Sequence, residues 1–349
     1  MATPMRRRDE ITLLEGAAAL AWLETAAARE AVQALHRRCP WATRFQSWEF
    51  VTIWYRCYRE VSDPVLLCQR DGERLAGFLP LARDRISGRL AAAGDHQAEY
   101  QGWLAEPGDG DRFLEAALAT IGQRFRPDRL RLRYLPAKAP TGWLERPLGS
   151  GVTVATRRHQ RPLFSLADPK ATAESLRKKS NKSRLNRLKR LGALELRVLE
   201  TRAALEGVID EISAGYDLRQ GAANGVCPFA DDPRKRRFHL ELMDHPGLMQ
   251  ACVLSVGGRV AAAHLGLVDQ DSVVVGVFGH APAFGQHSPG KFLMLMLGER
   301  LAAEGRRWID LTPGGAWKDR FASDHDEVLE VTIFFERGLA RRARATAAA

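Results

Sequence analysis

Cys68-Gln69-Arg70-Asp71-Gly72-Glu73-Arg74-Leu75-Ala76 and Leu254-Ser255-Val256-Gly257-Gly258-Arg259-Val260-Ala261-Ala262 are the two stretches on which the fold turns. Both set apolar residues on either side of a glycine-containing turn that closes near an arginine, the pattern of a tight β-hairpin. Each is followed in the same order by a helical stretch and a strand: 111–125 then 129–135 after the first, 289–304 then 307–311 after the second. The offset is 185 residues between Arg74 and Arg259 and 179 between Phe113 and Phe292, so two runs of one α+β pattern differ by a single loop. A duplicated unit of this kind predicts a cleft between its copies where a bulky substrate can lie.

With 349 residues and 45% hydrophobic content, the chain can bury two cores. A net charge of +10 favours anionic partners such as nucleic acid, a nucleotide cofactor or a phosphorylated sugar. Cys39, Cys57, Cys68, Cys227 and Cys252 form no CxxC pair and read as reduced core thiols, which points to the cytoplasm. Arg6-Arg7-Arg8 lead into an amphipathic stretch with Glu15, Glu24 and Glu30, not into the apolar core of a signal peptide. The longest uncharged run, 272–290, mixes valines with Pro, Gly and His and reads as a buried strand plus a loop, not as a membrane span. No HExxH, zinc-spaced Cys/His cluster or GxSxG elbow occurs, nor a GxxxxGK[ST] loop, nor GxGxxG in a βαβ context. A metal site, serine hydrolysis, nucleotide hydrolysis and dinucleotide redox chemistry all lose support.

Residues 16–38 repeat alanine and leucine at helical spacing, and Ser47 stands as an N-cap before an aromatic helix over 48–58. Strands are expected at 64–70 and 74–85 around Asp71-Gly72, and again at 99–104. Pro136, Pro140 and Pro147 mark a turn-rich exit, which sets a domain boundary between 150 and 170 and two domains, 1–160 and 161–349. From 174 to 190 eight basic residues oppose the single Glu174 on a helix whose apolar stripe is only Leu185, Leu188 and Leu191. Such a helix projects a strong positive field. Gly192 ends it before a strand at 193–199, and helices are expected at 202–218 and 232–244.

The segment most able to bind a ligand is the strand 272–280, the loop to Gln286-His287-Ser288-Pro289-Gly290-Lys291, and the helix that follows. Ser288 at the N-cap and Pro289 at the first helical position start the helix, while Gly290 lets a ligand approach the backbone. A strand feeding a helix N-terminus favours an anion, because free N–H groups and the helix dipole act together.

The strand, Ser288-Pro289-Gly290, Leu293, the Gly305 turn, Trp308-Ile309-Asp310-Leu311, Gly314-Gly315 and Trp317-Lys318 together resemble the C-terminal half of the CelD-type acyltransferases. That group lies in the GNAT superfamily and is related to the Fem-type peptidyl transferases. Phe45-Gln46-Ser47, the 71–82 hairpin, the Tyr100 region and the basic helix extend the resemblance over about 40–336. It implies an α+β protein of tandem GNAT-like domains, each a mixed, mostly antiparallel sheet flanked by helices. It also implies acyl-CoA or acetyl-CoA as donor, held by Gln286, His287, Ser288, Gly290 and Lys291, although this loop departs from the [QR]xxGx[GA] pattern of ordinary GNAT enzymes.

Acyl transfer from a thioester needs a proton acceptor, donors for the developing oxyanion and a clamp for the donor's phosphates. His264 stands where the first copy carries the aliphatic Leu79; it reads as a base or as a hydrogen-bonded core histidine. Asp310 reads as the base, as a partner that orients His264, or as half of an ion pair. Lys318 matches the family's aromatic-Lys motif, which implies contact with the transferring or acceptor group, and Arg320 is a second clamp. Asp95, Glu99 and Tyr100 fall where the family carries an acidic-Tyr strand, which implies acceptor binding. The expected activity is transfer of an acyl group to an amine or hydroxyl of a sugar, polysaccharide precursor or amino compound. An aminoacyl-tRNA-dependent transferase is the first alternative, and a non-catalytic anion- or nucleic-acid-binding module is the second.

Overall fold

A computed structural model of the chain describes residues 10–149, 151–168 and 174–336; Arg6-Arg7-Arg8 lie outside them. The backbone divides into two compact units, one of Met1–His159 with Glu327–Ala349 and one of Gln160–Asp326. The fold is α+β, with mixed, mostly antiparallel sheets and flanking helices.

In the first unit Ile11–Glu15 (β1) leads into Gly16–Leu23 (α1) and Ala26–Arg38 (α2), then Trp48–Tyr58 (α3). The single helix expected over 16–38 breaks at Glu24 because Thr25 starts a new one, its hydroxyl accepting from the Ala28 amide at 3.1 Å. Ser47 caps α3 as expected, accepting from the Phe50 amide at 3.3 Å. Ser62–Asp71 (β2) and Arg74–Asp84 (β3) form the first hairpin, in register from Ser62↔Asp84 to Asp71↔Arg74, with Gly72 at φ +64° in the turn. Leu90–Ala92 (β4) and Leu104–Ala105 (β5) both pair with β3, giving the sheet order β1-β2-β3-β4. Gly110–Phe125 (α4) seats Phe113 against β3 at Gly77, where any Cβ would overlap the ring. Arg129–Leu132 (β6) follows.

Thr153–Ser165 (β7) crosses from the first unit into the second. There the basic helix Lys179–Leu191 (α5) precedes Leu194–Val198 (β8), Arg202–Glu206 (α6), Ile209–Asn224 (α7) and Arg234–Met243 (α8). Met249–Val256 (β9) and Arg259–Asp269 (β10) make the second hairpin, with Gly257 and Gly258 both at positive φ, as a two-residue turn between twisted strands requires. Ser272–His280 (β11), Pro289–Ala303 (α9) and Trp308–Asp310 (β12) follow, and Asp324–Phe334 (β13) returns to the first unit, where it pairs with β6. The second unit's strands run β7-β12-β11-β10-β9-β8, all antiparallel except β11 with β12. Phe292, Leu293 and Leu297 of α9 cover one face, against Cys252, Leu254, Val273, Val275 and Phe278; Leu188 of α5 joins them. Ile209, Ile212 and Leu240 cover the other, against Ala251, Val253, Ala263, Leu265 and Val277. No helix among the described residues is long and apolar enough to cross a membrane.

The structure departs from the sequence expectations at further points. Residues 99–103 are not a strand: Gly94 and Asp95 take positive φ, and Gln101 uses its side chain, donating to the Asp95 carbonyl and accepting from the Arg133 amide, both at 2.8 Å. The helix expected at 202–218 breaks at Gly207 and resumes as α7, which runs on to Asn224. Strands β7 and β13 went unforeseen, because charge pairs such as Arg158–Glu327 at 2.9 Å and His159–Glu330 at 3.2 Å replace apolar alternation along them.

Substituting Gly77→Ala should force the Phe113 ring off β3. Overpacking of this kind costs ~1–3 kcal/mol, so urea unfolding followed by tryptophan fluorescence should show the first unit melting at lower denaturant.

Candidate active site

The parallel pairing of β11 with β12 stops after three residues, Ser272↔Trp308 to Val274↔Asp310. Gly276 forms a bulge opposite Leu265 of β10, so β11 bends where its partner leaves. Beyond Asp310 the chain turns away through Thr312, Gly314 and Gly315, all at positive φ. Its side chains come back to β11: Trp317 stacks on Phe278 with centroids 5.0 Å apart and planes 13° apart. From α7, Arg219 donates to the Phe278 carbonyl at 2.9 Å and lies over the Trp317 ring at 5.8 Å.

Thr312 joins two of the expected catalytic residues. Its amide donates to Asp310 Oδ1 at 2.8 Å, and its carbonyl and hydroxyl each accept from Lys318 Nζ at 2.9 Å. The Pro313 carbonyl accepts from the same ammonium at 3.1 Å. Lys318 is therefore a buried cation that holds the Thr312–Gly315 turn closed. The other oxygen of Asp310 faces Arg161 at 3.3 Å, and Arg161 also pairs with Asp326.

His264 is not brought to either of them. It is fully buried on β10 between Cys252 and Phe278, with Nδ1 2.7 Å from Gln250 Oε1. Ile309 and Leu311 belong to the core under α9, so alternation turns Asp310 to the opposite face of the sheet. His264 packs beside Phe278 on the α9 side, so Asp310 does not orient it. Burial alone lowers the His264 pKa to about 3.

The donor-loop residues fall together with part of α5. Pro282–His287 is a 3₁₀ turn anchored by the buried Phe284, with Gln286 exposed and His287 half-buried. Ser288 is the N-cap of α9 at φ +56°, but its hydroxyl makes no capping bond; it accepts from Arg184 Nη1 at 3.3 Å. The cap is one of backbone shape, with Pro289 supplying the helical φ. Lys291 Nζ donates to Asn181 Oδ1 at 2.9 Å, and Asn181 is itself fixed by its bond to the Ser175 carbonyl at 2.6 Å. Burial, with Arg184, Lys178 and Arg320, holds the Lys291 ammonium below the usual lysine range. Four cations thus gather at the positive end of a 15-residue helix. Gly290 is buried in the first turn of α9, where a Cβ would meet the Phe278 ring at 3.6 Å.

The first unit's counterpart differs in sign. Helix α4 follows Asp109 and carries Asp111 in its first turn, and a Cβ at Gly110 would come within 2.6 Å of Trp41 and Pro140. That start is acidic and filled. Asp95 pairs with Arg89 at 2.6 Å, Glu99 with Arg133 at 3.5 Å, and Tyr100 is buried with its ring edge-on to Phe45.

Asn181 and Arg219 belong to no motif in the sequence. Asn181 was legible as the uncharged residue that continues the Leu185–Leu188 stripe of α5 at helical spacing. Arg219 carries no such mark on α7.

Residues 175–321 match the family model described as an acetyltransferase (GNAT) domain. The whole cation cluster, from Lys178 to Arg320, lies inside this span, and the sequence resemblance to GNAT enzymes is borne out over it. Three solved structures share the fold of the chain. FemX superposes with a TM-score of 0.60 at 8% identity, covering 90% of this chain and 98% of that one. A conserved protein of unknown function from Bacteroides thetaiotaomicron gives 0.54 at 13%, covering 89% and 97%. The C-terminal domain (DUF2156) of a putative lysylphosphatidylglycerol synthetase from Agrobacterium fabrum gives 0.53 at 13%, covering 92% and 95%. No curated protein matches the chain.

The buried histidine sets a pH dependence. His264 takes a proton near 6.5 when unfolded and only at about 3 when folded, so stability is lost as pH falls from 6.5 towards 3. His239, also lowered to about 3 by burial, adds to the same slope. His264→Asn should reduce the slope by ~1.4 kcal/mol per pH unit. Urea unfolding at a series of pH values measures it, whatever the variant's stability at neutral pH.

Proposed function

We propose that the protein is an acyltransferase that takes an acyl group from acyl-CoA and passes it to an amine or hydroxyl. The observation that carries this reading is the meeting of Lys178, Arg184, Lys291 and Arg320 with the α9 N-terminus beside the unpaired end of β11, inside the GNAT-matching span. Four cations and a helix N-terminus suit a pyrophosphate. Beyond Val274 the β12-side edge of β11 pairs with no strand among the described residues; apart from the Phe278 carbonyl, which Arg219 holds, it offers backbone groups to an extended amide chain such as pantetheine, in the manner of an added strand.

In the transfer, the acceptor's nitrogen or oxygen attacks the thioester carbonyl, its proton leaves, the C–S bond breaks and CoA departs as the thiolate. Lys318 serves this site by fixing the turn that frames the opening, and Asp310 by anchoring Thr312 to β12. The resemblance to CelD-type enzymes supports a sugar, a polysaccharide precursor or an amino compound as acceptor; the match itself reaches no further than the GNAT domain. One observation favours an aminoacyl-tRNA donor instead: Lys179, Lys182, Lys189 and Arg190 leave α5 basic on its exposed sides as well.

Calorimetry with acetyl-CoA and longer acyl-CoA thioesters tests the reading. The parent should bind with an affinity that falls steeply with salt. The triple substitution Lys178→Ser, Arg184→Ser, Arg320→Ser should weaken binding by at least about tenfold, while Gly290→Val should abolish it with an unchanged circular dichroism spectrum. Tight binding of tRNA without binding of any CoA thioester would move the donor to aminoacyl-tRNA.

A further inference from the structure

The transfer needs a group to take the acceptor's proton, and the opening contains one that neither the motif nor the family match assigns. His280 is the last residue of β11, six residues beyond the point where β12 leaves. Its ring faces the first turn of α9: a Cβ on Gly290 would lie 3.9 Å from Nδ1, and one on Gly285 would lie 3.5 Å from Nε2. Phe278, which carries the Trp317 stack, stands two residues earlier on the same face. On the other face Gly279, His280 and Ala281 pack against Ile212, Gly215 and Tyr216 of α7 around a water-sized cleft, while the His280 ring itself is only half-buried.

We infer that His280 is the proton acceptor of the acyl transfer, an inference that rests on the acyl-CoA reading above. His264 is sealed in the core, and Asp310 and Lys318 are committed to Arg161 and the Thr312 turn. The His280 ring is half-buried and makes no hydrogen bond among the described residues. The groups around it leave it neutral. Arg219 of α7 bears on it directly, Lys291 lies in the first turn of the facing helix, and Glu211 of α7 is engaged by the Val260 amide at 3.0 Å. Burial first, and Arg219 second, lower its pKa, so the imidazole is unprotonated at neutral pH. As the acceptor's nitrogen or oxygen bonds to the thioester carbon, its proton passes to an imidazole nitrogen; when the C–S bond breaks, the departing CoA thiolate takes that proton.

Bromoacetyl-CoA probes this placement, because its electrophilic carbon lies where the acyl group would be. The parent's binding of CoA is measured first: without it the donor reading fails and takes this inference with it. Given binding, the imidazole should displace bromide to form a C–N bond, with peptide mass mapping locating the adduct on His280. The rate of labelling should rise with pH to a midpoint below 6.5. His280→Gln should bind CoA as the parent does, escape labelling at that position, and lose about a hundredfold in kcat for acetyl-CoA consumption against a panel of amines, with KM for acetyl-CoA unchanged. Labelling at another residue, parental kcat in His280→Gln, or a raised KM with unchanged kcat would overturn the assignment; the last result would make His280 a contact for the donor's phosphates.

Discussion

The early end of the β11–β12 pairing is the constraint from which the second unit's chemistry follows. Two parallel strands that stayed in register would satisfy each other's backbone groups and leave no room between them. Here they share three residue pairs and part after Val274, just before the Gly276 bulge, so among the described residues β11 runs on with no strand along that edge. The gap needs support on its other side, and the turn after Asp310 supplies it. Thr312 ties that turn to β12 through Asp310 and to the next helical turn through Lys318, while the Phe278–Trp317 stack sets its distance from β11. A buried ammonium with three oxygen partners is a rigid strut, since an unpaired charge at that depth would be strongly unfavourable.

The same region holds charges of one sign. Lys178, Arg184, Lys291 and Arg320 repel one another, and the lowered lysine pKa at Lys291 records that repulsion together with burial. Clusters of like charge at a helix terminus persist where a counter-charge is supplied from outside, and shifted pKa values gather at such places. The acidic, Trp41-filled start of α4 gives an internal contrast. One hairpin–helix–strand pattern, used twice, has an electropositive opening in one copy and a packed, negative helix start in the other.

The two hairpins, the capped helix over Trp48–Tyr58 and the Pro289 helix start were all legible in the sequence, because each rests on a local signal: a turn dipeptide, an N-cap, a proline at the first helical position. Strands β7 and β13 were not, since their partners lie about 170 residues away and their stability comes from cross-strand ion pairs that no local pattern encodes. The expected site divided in the same way. Ser288, Gly290, Lys291 and Arg320 converge because one helix start gathers them. His264 looked chemically active beside its aliphatic counterpart Leu79, yet strand alternation, invisible until the Leu265–Gly266 register shift is known, turns it into the core. Arg219 reaches Phe278 from a helix whose packing is set wholly by tertiary contacts.

The return of β13 to the first unit also fixes an order of events during synthesis. Leu132 pairs with Val331, so β6 leaves the ribosome without a strand partner and waits for the whole second unit to be made before β13 exists. At ~5–20 residues per second that interval is roughly 10–40 s. Throughout it the nascent chain exposes a short strand of alternating Arg and Leu, Arg129-Leu130-Arg131-Leu132, whose positive charges discourage pairing with a neighbouring nascent chain. The glutamate that later meets Arg131, Glu330, arrives only with β13.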